Sequence, residues 1–204
     1  MENILNEVQN LIEREAASKT PFLIAIDGRC ASGKTTLAHA LSDHLNANLI
    51  HMDDFFLRPE QRTPQRLAVP GENIDHERFL TEVLLPLKEG IPFAYRPFSC
   101  SNMSLGEPVT VQPKPIAVVE GSYSCHPDLR EHYDLRLFLT VSPEEQMRRL
   151  RERDGAYAEV FREKWIPLEE SYFSACRVEE DCFRTLEINF YETNRKNCVN
   201  LVKC

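Results

Sequence analysis

The chain has 204 residues, 42% apolar and 27% charged, with 24 Lys plus Arg against 32 Asp plus Glu for a formal net charge of -8. The length suits one domain over 1–204 with small excursions, the composition excludes a disordered or fibrous chain, and the acidic balance argues against a general grip on nucleic acid or anionic lipid. No apolar run approaches the roughly 20 residues of a membrane span and no leader pattern is visible, so a cytoplasmic protein with no membrane partner is expected.

Ile4, Leu5, Val8, Leu11 and Ile12 recur at helical spacing and predict an opening helix over 3–18, ended before Pro21. Phe22 to Ile26 is a continuous apolar run, the pattern of a parallel strand covered on both faces, and Gly28 follows it closely. A helix over 34–46 and a strand over 48–52 come next, the strand stopping at Asp53. After a long proline-rich loop, Asp75 is placed to cap a helix over 76–88 that Gly90 stops. Phe93, Tyr95, Phe98, Val109 and Val111 predict a small β-hairpin excursion over about 92–112. Buried-strand patterns return at 116–120 and 135–141; Ser142 and Pro143 then start a helix to Arg153, and a helix over 157–176 is disturbed at Pro167. A last strand over 185–190 completes the set. Strands alternating with helices imply an α/β fold with a parallel central sheet, whose ligands sit beyond the carboxyl ends of the strands. Those ends deliver Gly28, Asp53 and Glu120.

Gly28-Arg29-Cys30-Ala31-Ser32-Gly33-Lys34-Thr35 fits G-x-x-x-x-G-K-[ST] and lies where that pattern has a mechanism, between a buried strand and a helix start. Backbone N–H groups of such a loop and the positive end of its helix surround β- and γ-phosphates, Lys34 adds a mobile charge, and the Thr35 hydroxyl suits one position of an octahedral Mg²⁺ shell. ATP and Mg²⁺ are the cofactors this implies, bound by residues 28–36 with Thr36 at the helix start. Asp53 is placed to accept a hydroxyl proton or to bind the metal through water, with a helix cap as the alternative, whereas Asp54 reads as solvent-facing or a cap. Glu120 ends an apolar strand, where a charge is costly without a partner; a metal–water shell or a basic side chain would supply one. Arg148, Arg149, Arg151 and Arg153 crowd one helix end, and Arg149 and Arg153 are the candidates to neutralise a transferring phosphoryl group, in a lid over about 148–165. His51, His76 and His126 show no metal-ligand spacing and read as surface or satisfied histidines. The seven cysteines contain no CxxC pair and read as free thiols, some buried.

With these residues together, the chain resembles the uridine kinase and phosphoribulokinase branch of P-loop kinases, over about 22–173. The markers, in order, are the loop 28–36, His51-Met52-Asp53-Asp54-Phe55-Phe56, Asn73-Ile74-Asp75-His76-Glu77-Arg78-Phe79, Val119-Glu120-Gly121-Ser122-Tyr123 and the arginine-rich segment before Gly155. The resemblance implies a three-layer P-loop NTPase fold with a helical lid. It implies an ATP-dependent kinase acting on a hydroxyl of a nucleoside-like small molecule, Asp53 taking the proton and Glu120 near the metal. Asp75 then binds the ribose, Tyr95 contacts the base, and Phe56 and Cys100 belong to the acceptor side. Cys100 stands five residues beyond that aromatic, where nucleoside kinases of the branch place a base-reading histidine, and the lid is shorter than theirs. Pantothenate, a vitamin riboside or a sugar phosphate remain alternative acceptors, and a nucleotide-binding ATPase or regulator is the alternative to a kinase. A homo-oligomer is compatible with everything read so far.

Overall fold

The structure is a computed structural model describing residues 2–187. Helix α1 (Glu2–Ala16) leads to the central strand β1 (Phe22–Gly28), then α2 (Lys34–Leu45) and β2 (Asn48–His51). A loop carrying the short helix α3 (Pro64–Leu67) runs into α4 (His76–Phe79) and α5 (Leu85–Glu89), which a π-helical turn over Leu80–Leu84 joins. Four short strands follow: β3 (Phe93–Tyr95), β4 (Phe98–Ser99), β5 (Ser104–Leu105) and β6 (Val109–Val111). The chain returns through β7 (Ile116–Glu120) and β8 (Leu135–Thr140), then passes α6 (Pro143–Asp154), α7 (Ala158–Val160), α8 (Ile166–Ala175) and α9 (Val178–Asp181) to reach β9 (Arg184–Glu187).

The central sheet has the order β2-β7-β1-β8-β9 and every pairing is parallel. All seven residues of β1 are buried, as its unbroken apolar run requires of a strand with neighbours on both edges and helices on both faces. Its side chains alternate between two cores. Phe22, Ile24 and Ile26 meet Val8 and Ile12 of α1 and Leu37 and Leu41 of α2. Leu23 and Ala25 meet Phe55, Phe79, Phe138 and Tyr172 on the opposite side. Each large side chain fully removed from water here contributes about 1.5–3 kcal/mol, so both helical layers are tied to the strand that carries the glycine-rich loop.

The predicted boundaries hold within a residue or two for α1, α2 and the sheet strands. Asp75 caps α4 by accepting from the Arg78 amide, and Gly90 closes α5 in the left-handed region at φ 67°. The predicted 76–88 helix is continuous but widened before Pro86, and the helix over 157–176 is widened in the same way over Phe161–Trp165, before Pro167. In both, the proline cannot donate to the preceding turn, and a π turn takes up the mismatch. The excursion is two nested antiparallel pairs, β3 with β6 and β4 with β5, interrupted at Arg96-Pro97. The predicted last strand starts at Arg184; its residues 188–190 lie outside the described residues. Among the described cysteines all are free, Cys30 and Cys125 buried.

Candidate active site

The loop after β1 is shaped by backbone geometry that only glycine tolerates. Gly28 sits at φ 132°, and a Cβ there would lie 2.0 Å from the Leu139 oxygen. Gly33, at φ 102°, opens α2 without any side-chain cap, which leaves the first amides of the helix for an anion. Lys34 is buried and folds back, its Nζ donating to the Gly28 oxygen at 2.7 Å and the Arg29 oxygen at 3.0 Å. Ser32 Oγ is buried with no hydrogen-bond partner, while Thr36 is exposed. The Arg29 side chain turns out of the loop, donates to both oxygens of Glu170 and lies over Phe138 and Phe173. Only its backbone lines the cradle. Burial pushes the Cys30 thiol far up, so that it stays protonated.

Glu120 reaches the mouth of this loop from the end of β7. It is buried, accepts from Thr35 Oγ1 at 3.1 Å and pairs with His51 Nδ1 at 2.6 Å. The costly charge at the strand end is therefore met by a hydroxyl and by an imidazole whose pKa the carboxylate raises. Asp53 follows β2, and Gly121 at φ 134° lets the two strand ends approach: a Cβ on Gly121 would stand 2.9 Å from Met52 Cβ and 3.4 Å from Asp53 Oδ1. Asp53 is an exposed residue, although its carboxyl end lies against the backbone at Gly121. Loss of bulk hydration, then the negative charge of Glu120, push its carboxyl up to about 6, against the pull of Lys34. Thr35, Asp53 and Glu120 offer the hard oxygen donors that Mg²⁺ takes, so these residues fit the ion the loop implies.

Asp54 departs from its expected place in solvent: it accepts from Tyr95 Oη at 3.0 Å, and its backbone oxygen accepts from Arg78. Tyr95 is 5% exposed and packs on Phe55, so its face belongs to the core instead of forming an open platform for a base. Phe56 is half-buried and bridges to Ile74, and Cys100 is half-buried in the turn between β4 and β5. Asp75 is buried, and while Oδ1 caps α4, Oδ2 has no hydrogen-bond partner. Arg78 Nε lies 3.5 Å and Arg58 Nε 3.7 Å from that oxygen. Arg58, Gln61, Asp75, Arg78 and Thr81 line a cavity of about 510 Å³, which neither Asp53 nor the glycine-rich loop lines.

Helix α6 packs against the loop. Arg149 donates to the Ala31 oxygen at 3.0 Å and Gln146 to the Cys30 oxygen at 3.0 Å. Arg153 points elsewhere, to Asp154 and the Phe161 ring, with half its side chain exposed; Arg148 pairs with Glu145 and Glu152 on the outer surface.

Two buried acids went unnoticed in the sequence. Asp27 accepts from the Gly28 and Cys125 amides and from Tyr172 Oη, tying the loop to the segment after β7 and to α8; burial pushes its carboxyl up to about 6. An acidic residue breaking a buried apolar run just before the glycine was the available signal. Glu169 of α8 accepts from the Cys30 amide at 3.0 Å and from Ser122 Oγ at 2.5 Å. The histidines have partners, as read, but two of them lie together. His76 and His126 are both buried and stack at 4.1 Å, and one atom each from Glu72, His76 and His126 lie within 4.8 Å of one another. Chain folding, not local spacing, makes this group. With the ring planes only 15° apart, one ion cannot lie in both planes in these rotamers; His76 Nε2 instead hydrogen-bonds to Glu72 at 3.2 Å, and His126 Nδ1 accepts from the Asp128 amide with its Nε2 3.8 Å from Glu72.

No protein-family model matches the chain. Among curated proteins it is 30% identical over 150 residues to uridine-cytidine kinase B of Dictyostelium discoideum, covering 68% of this chain and 60% of that protein. It is 28% identical over 150 residues to uridine kinase-like protein 5 of Arabidopsis thaliana, covering 68% of this chain and 32% of that one. The chain thus spans from about a third to three-fifths of these relatives. Among solved structures, one of a possible uridine kinase from Bacillus stearothermophilus superposes with a TM-score of 0.60 at 18% identity, over 88% of this chain and 98% of that one. A Silicibacter sp. TM1040 protein, provisionally assigned as a fructose transport system kinase, gives 0.67 at 23% identity over 89% and 98%. The α/β P-loop kinase fold is therefore established, and the resemblance read from the ordered motifs is matched by homologues named uridine kinase-like and uridine-cytidine kinase.

Proposed function

We propose that this homologue of the uridine kinase-like proteins is an ATP- and Mg²⁺-dependent kinase that transfers the γ-phosphoryl group to a hydroxyl of a nucleoside-like small molecule. The observation that carries the reading is convergence: the ends of β1, β2 and β7 bring Lys34, Thr35, Asp53 and Glu120 to one cleft, with Thr35 bonded to Glu120 and Gly121 lying against Asp53. In this reading the loop amides and Lys34 bind the β- and γ-phosphates, and Lys34 exchanges its bonds to the Gly28 and Arg29 oxygens for phosphate oxygens. Thr35 and Glu120 hold the Mg²⁺, which when bound neutralises charge on the phosphates. Asp53, ionised above about pH 6, accepts the proton of the attacking hydroxyl. Arg149, already at the Ala31 oxygen, is the lid arginine nearest the transferring group. Free thiols and the lack, among the described residues, of a helix long and apolar enough to cross a membrane support a cytoplasmic setting.

The acceptor reading rests on Asp75, whose buried Oδ2 has two arginines at ion-pair distance but no hydrogen bond, which suits it to a sugar hydroxyl. A second reading, an anionic acceptor such as a sugar phosphate, would use Arg58 and Arg78 in the same cavity, against the acids Asp75, Glu77 and Glu82 that also line it. Incubation with ATP and Mg²⁺ against nucleosides, vitamin ribosides, pantothenate and sugar phosphates, with product mass as the readout, separates these. A phosphorylated nucleoside supports the first and a bisphosphorylated sugar the second. ATP hydrolysis with no phosphorylated acceptor would favour the ATPase alternative.

A further inference from the structure

We propose that Cys125 and Cys182 are a redox modification site: a peroxide joins them in a disulfide, and the bond weakens nucleotide binding by pulling on the segment that braces the glycine-rich loop. The effect on the nucleotide rests on the loop being the phosphate site; the bond between the thiols does not.

Cys125 follows β7 and Cys182 stands in the short link between α9 and β9, 57 residues apart in the chain. The fold brings them together: Cys182 Sγ donates to Cys125 Sγ at 3.9 Å. Cys125 is 2% exposed, whereas Cys182 is half-buried and is the sulfur that an oxidant reaches first. Its thiolate attacks one peroxide oxygen, the O–O bond breaks, and the departing hydroxide takes up a proton and leaves as water, so that Cys182 becomes a sulfenic acid. The neighbouring Cys182 and then burial hold the Cys125 thiol well above its ordinary range, which suits it to the second, resolving step. The Cys125 sulfur attacks the Cys182 sulfur, the S–O bond breaks, and the Cys125 proton leaves with the hydroxyl as a second water. The two thiols lose two electrons, and the peroxide is reduced to water.

Closing the bond draws the sulfurs from 3.9 Å to about 2 Å, and the surrounding backbone decides which side yields. Cys182 is clamped on both sides: the Asp181 oxygen accepts from the Arg136 guanidinium, and the Phe183 amide donates to the Arg136 oxygen at 2.9 Å. Arg130 also pairs with the Asp181 carboxylate. Cys125 instead lies in a run of turns, and its amide donates to Asp27 Oδ2 at 2.9 Å. Asp27 Oδ1 accepts from the Gly28 amide at 2.7 Å, so one buried carboxylate joins Cys125 to the first residue of the loop. Ser124 Oγ donates to the Gly121 oxygen at 2.8 Å. A pull on Cys125 therefore reaches Gly28 through Asp27 and Gly121 through Ser124.

Treatment of the full chain with hydrogen peroxide, then alkylation of the remaining thiols and peptide mass mapping, should give a linked pair of peptides carrying Cys125 and Cys182, released by dithiothreitol. Calorimetric titration should show ADP binding about fivefold more weakly to the oxidised protein, the scale of one weakened hydrogen bond, with recovery on reduction. Cys182→Ser should abolish both the linked peptides and the loss of affinity, whereas Cys176→Ser, which leaves the pair intact, should keep both. Cys125→Ala serves if the Cys182 variant does not fold. Oxidised protein in which Cys125 and Cys182 are recovered as alkylated thiols, or linked to other cysteines, would overturn the site. A linked pair with unchanged ADP affinity, or a loss of affinity that persists in Cys182→Ser, would overturn its action on the loop. If the reduced protein binds no ADP, the phosphate-site reading fails, and the peptide map alone decides the thiol pair.

Discussion

Thr35 Oγ1 donates to Glu120 Oε2 at 3.1 Å, joining the first turn of α2 to the end of β7 across the mouth of the glycine-rich loop. Glu120→Gln keeps the shape and removes the charge that would share a cation with Thr35. The half-saturating Mg²⁺ concentration for ATP-dependent turnover should rise at least about tenfold, in the range seen when groups around a metal are altered, with the melting temperature little changed. An unchanged Mg²⁺ titration would place the metal elsewhere.

Gly121 is the residue through which Asp53 and Glu120 come close. At φ 134° an alanine is strained, and its Cβ would stand 2.9 Å from Met52 Cβ. Gly121→Ala should cost about 1–3 kcal/mol of stability in denaturant unfolding and lower turnover more than nucleotide affinity, since the displaced group is beside Asp53. Gly90→Ala, at φ 67° with open space around it, should cost stability alone.

The buried pair His76 and His126 sets an acid limit. His126 Nδ1 accepts from the Asp128 amide, an arrangement that only a neutral ring satisfies, and it faces Glu72, His76, Glu77, Asp128 and Arg66. Burial, then the neighbouring His76, push its pKa from 6.5 down to about 4. The unfolded chain therefore takes up the proton first. This contribution is fully present above pH 6.5 and is lost as pH falls toward 4, up to roughly 3 kcal/mol. His126→Asn, which keeps an acceptor for the Asp128 amide, should flatten unfolding free energy against pH in that window; an unaltered slope would assign the loss to other groups.

The strand ends were legible because their chemistry is local: an apolar run, then Gly28, Asp53 or Glu120. Asp75 as a cap and the disturbance at Pro167 were legible from the same local rules, whereas the widening before Pro86 was not expected. Asp27 is marked in the sequence only as an acid breaking an apolar run, and Glu169 not at all, because what gives them their roles lies far along the chain: Tyr172 is 145 residues from Asp27, and Cys30 is 139 from Glu169. Tyr95 shows the other limit. Its place in the excursion was readable, but the turn of its ring onto Phe55 and of its hydroxyl onto Asp54 depends on packing that periodicity does not carry.

Arg149 and Arg153 differ in a way that spacing on one helix did not separate. Arg149 is 14% exposed and bonded to the Ala31 oxygen, whereas Arg153 is 49% exposed and bonded to Asp154. Arg149→Ala should lower kcat by at least about tenfold, a loss of about 1.4 kcal/mol of transition-state stabilisation. Arg153→Ala should change it by less than about twofold. Equal effects in steady-state kinetics would contradict this division.

Single-turnover transfer from ATP to the acceptor identified by product mass, compared between the wild-type protein and Asp53→Asn, tests the kinase reading most directly. The variant keeps the size of the side chain and loses the proton acceptor, so the transfer rate should fall by about 10²–10⁴ while ADP affinity, set by the loop, changes little. Transfer by Asp53→Asn at the wild-type rate would contradict the account.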